Sequence, residues 1–298
     1  MKKKIPSEGL DLRAISLIML LSLLWGGNSP AMKIALRDMQ PFILAGLRFT
    51  LAVMAVWGWA IYRGIPLSLK KGELLPLIIL ALFFAAQISS FNVGTHLSLA
   101  SRASLLINAH PFFVALMAHF FIPSDRLTFR KALGLLIAFS GVALIFRESI
   151  IPSGRDHLLG DLILLLSAFI LGAQTVYTKR VVQDMAPIKL LAWQMGFALI
   201  PFYLMSLLFE DPSGWRISGS VVGMLIYQGI LVGFFCFITW TTLLRRYSAS
   251  KIAAFLFATP IFGVALSWLI LGDKLTVWLG AGTALVAAGI YIVNSSEG

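Results

Sequence analysis

A chain of 298 residues with 59% hydrophobic side chains, 12% charged ones and a mean hydropathy of +0.89 is not a soluble domain, which carries about twice that share of charge. The formal net charge of +11 would suit a nucleic-acid partner if it were clustered, but the basic residues are dispersed between apolar blocks, so they set topology and need no anionic partner. The single cysteine, Cys236, lies inside an apolar block and excludes both an intramolecular disulfide and a cysteine metal cluster.

Ten blocks are each long enough to cross about 30 Å of hydrocarbon. In chain order they are Ile15–Lys33, Phe42–Tyr62, Leu74–Leu97, Ala103–Ile122, Phe129–Phe146, His157–Tyr177, Ile188–Phe209, Ser218–Thr242, Ile252–Leu271 and Leu275–Val293. The connections are too short for a soluble domain, and ten helices leave no room for the period-two strands of a β-barrel. Met1-Lys2-Lys3-Lys4 followed by Leu17–Trp25 also has the outline of a secretory signal peptide. The first block is instead read as a retained helix, because Gly26 and Lys33 within it have counterparts later in the chain.

Those counterparts reveal a duplication. Gly26, Lys33, Asp38, Met39 and Pro41 are answered 146 residues later by Gly172, Lys179, Asp184, Met185 and Pro187. Ser101-Arg102 and Pro111 are answered by Ser250-Lys251 and Pro260, and Asp125-Arg126-Leu127-Thr128 by Asp273-Lys274-Leu275-Thr276. Gly134 and Gly141 are answered by Gly282 and Gly289. Two repeats are expected, residues 12–148 and 156–294.

With the N-terminus placed in the cytoplasm, the cytoplasmic segments carry 16 Lys and Arg and the opposite side 8. The positive-inside rule therefore puts the N-terminus inside, and ten spans return the C-terminus to the same side. Each repeat has an odd number of spans, so the second enters the membrane from the opposite face. Inverted pairs of this kind suit secondary transporters, which need inward-open and outward-open states of similar energy.

The residues Trp25-Gly26-Gly27-Asn28-Ser29-Pro30, Lys33, Pro41 and Leu47-Arg48-Phe49 resemble the opening of an EamA-type repeat of the drug/metabolite transporter (DMT) superfamily. Ala100-Ser101-Arg102-Ala103-Ser104-Leu105-Leu106, the proline Pro111 and the acidic turn at Asp125 extend the resemblance, as do Gly134 and Gly141 with Gly282 and Gly289. It covers about residues 14–294. The chain departs from the pattern at Ser124-Asp125 and Gly272-Asp273, where the family has Gly-Glu, at Leu171-Gly172 for Trp-Gly, and at Gln194, which stands where Arg48 would repeat. The resemblance implies an all-α integral membrane protein, with ten transmembrane helices as two inverted-topology five-helix repeats around a central cavity. It also implies a permease of the cytoplasmic (inner) membrane that moves a small metabolite, amino-acid export foremost.

An Arg or Lys at a helix centre costs roughly 2.5–3.5 kcal/mol on insertion scales, so buried polar groups mark a path or a partner. Arg48 reads as a carboxylate-binding or gating cation, or as an interfacial arginine snorkelling outward. Lys33 and Lys179 lie nearer helix ends and read as snorkelling, with gate salt bridges to Asp38 and Asp184 as the alternative. Ser89, Asn92 and His96 share one face of the third span, and Ser104, Asn108 and Pro111 one face of the fourth. His110, Gln174, Tyr177, Gln228 and Trp240 are further substrate-binding or gating candidates, each of which can instead be a helix–helix contact or an interfacial anchor. Pro111 and Pro260 interrupt their helices at matched depth and are hinge candidates, or static kinks. The small-residue faces Gly134-Ala138-Gly141, Ala281-Ala284-Ala288 and Gly229-Gly233 are expected to pack helices closely, or to form a dimer face.

All thirteen acidic residues lie in tails, loops or helix ends, Asp161 being the deepest. Proton coupling through a mid-membrane carboxylate is therefore disfavoured. His96, His110 and His119 are the midspan groups that titrate near neutrality, so either a histidine couples transport or the substrate runs down its own gradient. No phosphate-cradling Gly-rich loop with Lys-Ser/Thr is present. Neither cofactor nor metal is expected, and the expected partners are a small-molecule substrate and the lipid bilayer, with a homodimer open. Multidrug or nucleotide-sugar transport is the runner-up. A membrane enzyme built on His96, His157, Asp156 and Asp161 is a remote third.

Overall fold

The structure is a computed structural model that describes residues 9–98, 103, 106–145, 158–263, 266 and 277–294. The motif residues Ser101-Arg102 and Asp273 to Thr276, together with His157, lie outside the described residues, as does the side chain of Lys33.

Every described element is a helix: α1 Leu12–Gly26, α2 Asn28–Ala35, α3 Pro41–Tyr62, α4 Leu74–Leu97, α5 His110–Phe121, α6 Phe129–Ile145, α7 Leu158–Val181, α8 Pro187–Phe209, α9 Gly219–Arg246, α10 Ala249–Gly263 and α11 Val277–Asn294. Five of them, α3, α4, α7, α8 and α9, are long and apolar enough to cross a membrane, and α1, α5, α10 and α11 add shorter apolar helices. Many large side chains stay exposed on these helices, among them Leu82, Leu165, Phe169, Ile200, Leu204 and Leu207. Such a surface is expected where the solvent is hydrocarbon.

Local chemistry fixes the ends. The Asp11 carboxylate accepts from the Ala14 amide at 2.7 Å to start α1, and the Ser218 and Ser248 hydroxyls cap α9 and α10 in the same way. Pro41 and Pro187 open α3 and α8, each preceded by an extended residue, because proline lacks the N–H that a first turn leaves unpaired anyway. In the connection between α3 and α4, Gly64 and Gly72 take φ of 61° and 89°, a region that residues with a Cβ avoid.

The regular blocks of the sequence are less regular in space. The first span breaks at Gly27, which divides α1 from α2. The fourth has a turn at Asn108-Ala109 before α5 begins. In α9 residues Tyr227–Cys236 form a π-helical segment, and α10 tightens to a 3-10 turn at Leu256–Ala258.

Small residues bring the helices together. A methyl group added at Gly134 would lie 2.8 Å from the Gly289 carbonyl oxygen, and one at Gly141 2.6 Å from that of Gly282. The two helices α6 and α11 thus touch backbone to backbone through the glycines of both halves. The exposed Ala281, Ala284 and Ala288 point away from this contact, so the packing face of α11 is the glycine face and not the alanine face. Gly26 packs on Thr259 and Gly263 of α10, and Gly172 packs on Phe113 and Val114 of α5. Helix α4 lies along α7 and α8, and α3 lies between α8 and α9. Phe49, Phe84 and Phe202 form the aromatic centre of this core, with ring centroids 4.7 to 6.4 Å apart.

Candidate functional site

Helix α3 is anchored at its start by Glu210, whose carboxylate accepts from the Phe42 and Ile43 amides at 2.6 and 2.9 Å. A carboxylate at a helix N-terminus satisfies two orphan donors and opposes the positive end of the helix dipole. Seven residues further along, roughly 10 Å at 1.5 Å per residue, stands Arg48, with 2% of its surface exposed. It does not snorkel. Its guanidinium carbon lies 4.5 Å from the centre of the Phe49 ring, and its Nη1 donates to the Gln228 side-chain oxygen at 3.4 Å.

That bond is at the long limit for an N–H donor, and it is incomplete compensation for a buried charge. Arg48 Nε and Gln228 Nε2 have no partner, although Gln228 is wholly buried. Among the described residues no carboxylate pairs with Arg48. Helix α9 reaches this point because Gly229 and Gly233 have no side chains. A Cβ at Gly229 would meet the Arg48 carbonyl oxygen at 2.9 Å, and one at Gly233 would meet the Ala52 Cβ at 2.8 Å. Both glycines belong to the π-helical segment, whose wider turn aims side chains differently from an α-helix and recurs at functional sites.

The break in the first span adjoins the same segment. The Tyr227 hydroxyl donates to the Leu24 carbonyl and lies against Gly27. Trp25 stacks edge-on against Trp240 and Phe237, at 5.7 and 6.2 Å, and Phe237 in turn contacts Phe49 and Phe84. An aromatic wall therefore runs from α1 across α9 to the residue beside Arg48.

The other candidates separate. Gln174 is buried with its side-chain oxygen unpaired, and so is the side-chain oxygen of Asn28, which stands 146 residues earlier. Gln194, the counterpart of Arg48, is 1% exposed and also has its oxygen unpaired. Gln194 was marked in the sequence as the neutral counterpart of Arg48, whereas Asn28 was named only within the Trp25–Pro30 motif, although the repeat alignment pairs it with Gln174. Asn92 is buried and donates to the Pro41 carbonyl at 2.9 Å, tying α4 to the start of α3. His96, one turn further along α4, is exposed. Asn108 and His110 are buried, the ring Nδ1 of His110 lying 3.1 Å from the Ile107 carbonyl. Tyr177 is half-buried against Phe83. His119 accepts from the Leu127 amide at 3.1 Å and serves the α5–α6 connection. Pro111 lies in the first turn of α5, just after the Asn108-Ala109 turn, and Pro260 follows the 3-10 turn of α10, so both prolines adjoin irregular backbone.

A second charged cluster closes one end of the bundle. Asp125, in the α5–α6 connection, accepts from Lys131 Nζ at 2.9 Å, from the Ser248 hydroxyl at 2.8 Å and from the Ser250 amide at 3.0 Å, with the Ser250 hydroxyl as a further donor. Burial pushes its pKa up, but Lys131 and the Ser250 bonds outweigh that and hold it below the usual carboxylate value. Nearby, Lys179 is buried and donates to the Tyr247 carbonyl at 2.7 Å. This replaces the expectation that it snorkels into the interface. On the same side Lys189 pairs with Glu73; its hydrogen bond, with one from the Lys70 amide, lowers the Glu73 pKa.

Comparison with known proteins places this architecture. The EamA-like transporter family profile matches twice, at residues 12–147 and 158–295. The chain is 28% identical over 284 residues to a protein of Salmonella typhimurium named a probable amino-acid metabolite efflux pump, covering 93% of each chain. It is equally similar over 285 residues to an Escherichia coli protein of the same name, and 25% identical over 276 residues to an uncharacterised transporter of Bacillus subtilis, covering 92% of this chain and 94% of that one. A solved crystal structure shares the fold, with a TM-score of 0.81 over 94% of this chain and 98% of its own at 20% identity. With two copies of the profile spanning an all-helical, lipid-compatible chain, this protein belongs to the EamA-like transporter family of the DMT superfamily.

Proposed function

We propose that this chain is a secondary transporter of the cytoplasmic membrane that exports a small amino-acid-like metabolite by alternating access. It has ten spans, arranged as inverted five-helix repeats at residues 12–148 and 156–294, with both termini in the cytoplasm. The observation that carries this is the exchange of equivalent contacts between the halves. Gly26 packs on α10 as Gly172 packs on α5, and the α6–α11 contact joins Gly134 and Gly141 to Gly289 and Gly282. Contacts that are repeated with opposite polarity allow one sequence to build two states of similar energy. The efflux-pump names of the relatives support amino-acid-like cargo.

The aromatic wall of Trp25, Trp240, Phe237 and Phe49 favours multidrug transport as a second reading, because stacked rings bind weakly polar solutes without charge recognition. The deciding experiment is a comparison of medium from cells overexpressing this chain with medium from cells carrying an empty vector. Accumulation of one or a few amino-acid-like compounds is expected. Unchanged medium together with raised resistance to lipophilic cations would replace this reading with drug efflux.

A further inference from the structure

We infer that Arg48 and Gln228 form the anion subsite of the transport path and that the cargo is a solute carrying a single carboxylate. The inference rests on the transporter reading and adds the chemical class of the substrate. Its basis is a mismatch in hydrogen-bonding capacity. Arg48 Nε and Gln228 Nε2 are both donors, both belong to buried side chains, and neither has a partner. What the pair lacks is an acceptor, and for a guanidinium the matching acceptor is an anion with two oxygens in one plane. The existing Arg48–Gln228 bond at 3.4 Å uses the Gln228 oxygen and orients its amide, leaving the amide nitrogen to serve a second oxygen.

The surroundings fix the number of charges. Lys179 donates to a backbone carbonyl, while Lys131 and Lys189 are paired with Asp125 and Glu73. At the position related to Arg48 by the repeat there is the neutral Gln194. Of the buried cations among the described residues, Arg48 is the one that keeps a side-chain nitrogen with no partner, which suits one negative charge. A nucleotide diphosphate or a phosphate ester would require more. Size is set by the neighbours: the Phe49 ring lies against the guanidinium, and the Gly229 contact closes the α3–α9 side. The carboxylate then ends a molecule whose remainder lies along the aromatic wall.

The test uses the full chain in lipid nanodiscs. The proteinogenic amino acids and a series of short monocarboxylates are offered, each beside its primary amide, with chloride and inorganic phosphate as simple anions. Binding is read as a shift in thermal unfolding and by isotope competition. At least one acid is expected to bind about tenfold or more tightly than its amide. Arg48→Gln should bring that ratio close to one with little change in the unligated melting temperature, Gln228→Leu should lower it several-fold, and Arg48→Lys should retain part of it. Equal binding of acid and amide, no binding of any acid, an acid preference that survives Arg48→Gln, or competition by phosphate stronger than by any carboxylate would overturn the inference. The export assay is scored separately. A wild-type chain that moves neutral or cationic solutes would leave the transporter reading intact and remove the carboxylate.

Discussion

Two buried charged groups in this molecule are built on opposite principles. At Asp125 each carboxylate oxygen is met by donors from Lys131, Ser248 and Ser250, and the α5–α6 connection is fastened to the start of α10. At Arg48 the charge is equally buried, yet one long bond to Gln228 is its side-chain hydrogen bond, and the Arg48 Nε and Gln228 Nε2 donors are left over. A satisfied buried ion pair is a fastening, because nothing remains for a visitor to bind. An unsatisfied buried charge costs stability in the absence of a ligand and persists where a ligand completes it. On the reading proposed above, the first cluster is structural and the second belongs to the transport path.

The two should respond differently to mutation. Asp125→Ala leaves the Lys131 ammonium buried without its partner, and such changes cost about 3–5 kcal/mol. A large fall in melting temperature in detergent is expected, and Asp125→Ala/Lys131→Met should recover much of it. Failure of the double variant to recover would mean that the serines, not the ion pair, hold the connection. Arg48→Gln copies the second half of the chain into the first. Export should fall about tenfold or more, equivalent to about 1.4 kcal/mol, while expression and melting temperature stay near wild type. Parallel loss of export and folded protein would make Arg48 a structural residue.

Smaller effects follow from packing and pH. Gly141→Val drives a methyl into the Gly282 carbonyl and should cost about 1–3 kcal/mol. Ala284→Val, on the exposed face of the partner helix, should change stability by no more than about 0.5 kcal/mol. Similar losses at both, seen by thermal unfolding in detergent, would mean that the alanine face is also covered, as a dimer would require. The lowered Asp125 pKa gives the smallest signal. Its stabilisation is fully present above the unfolded-state value of about 3.9 and is lost as pH falls through the lower folded value. Melting temperature should therefore show no Asp125-dependent change between about pH 5 and 8, and a decline below about pH 4 that Asp125→Asn abolishes.

The fold was largely legible in the sequence because hydrocarbon imposes length and composition on each span, and because the duplication marks its own equivalences. Pro41 and Pro187 start helices as their matched positions imply, and Gly26 and Gly172 make equivalent contacts. What was not legible depends on neighbours. Nothing in Tyr227–Cys236 sets it apart from an ordinary apolar helix; its π-helical turn coincides with the close approach of Gly229 and Gly233 to α3. The glycine and alanine faces of α11 are both small, and the position of α6 selects the glycines. Lys179 has the spacing of a snorkelling residue, yet it is buried and donates to the Tyr247 carbonyl, a partner that the sequence does not reveal. His96 shares a face with Asn92, but Asn92 is held by the Pro41 carbonyl at the start of α3, whereas His96 is left exposed. Arg48 was recognisable as costly. Its unpaired donors became visible only with Gln228 in place.

The most direct measurement is solute uptake into proteoliposomes that contain equal amounts of folded wild-type or Arg48→Gln protein, loaded with the compound found in the medium of overexpressing cells. Rapid exchange by wild type, persisting without a pH gradient, with the variant slower by about tenfold or more at the same melting temperature, is the predicted result. Equal rates for the two proteins would contradict the assignment of the unsatisfied charge to transport.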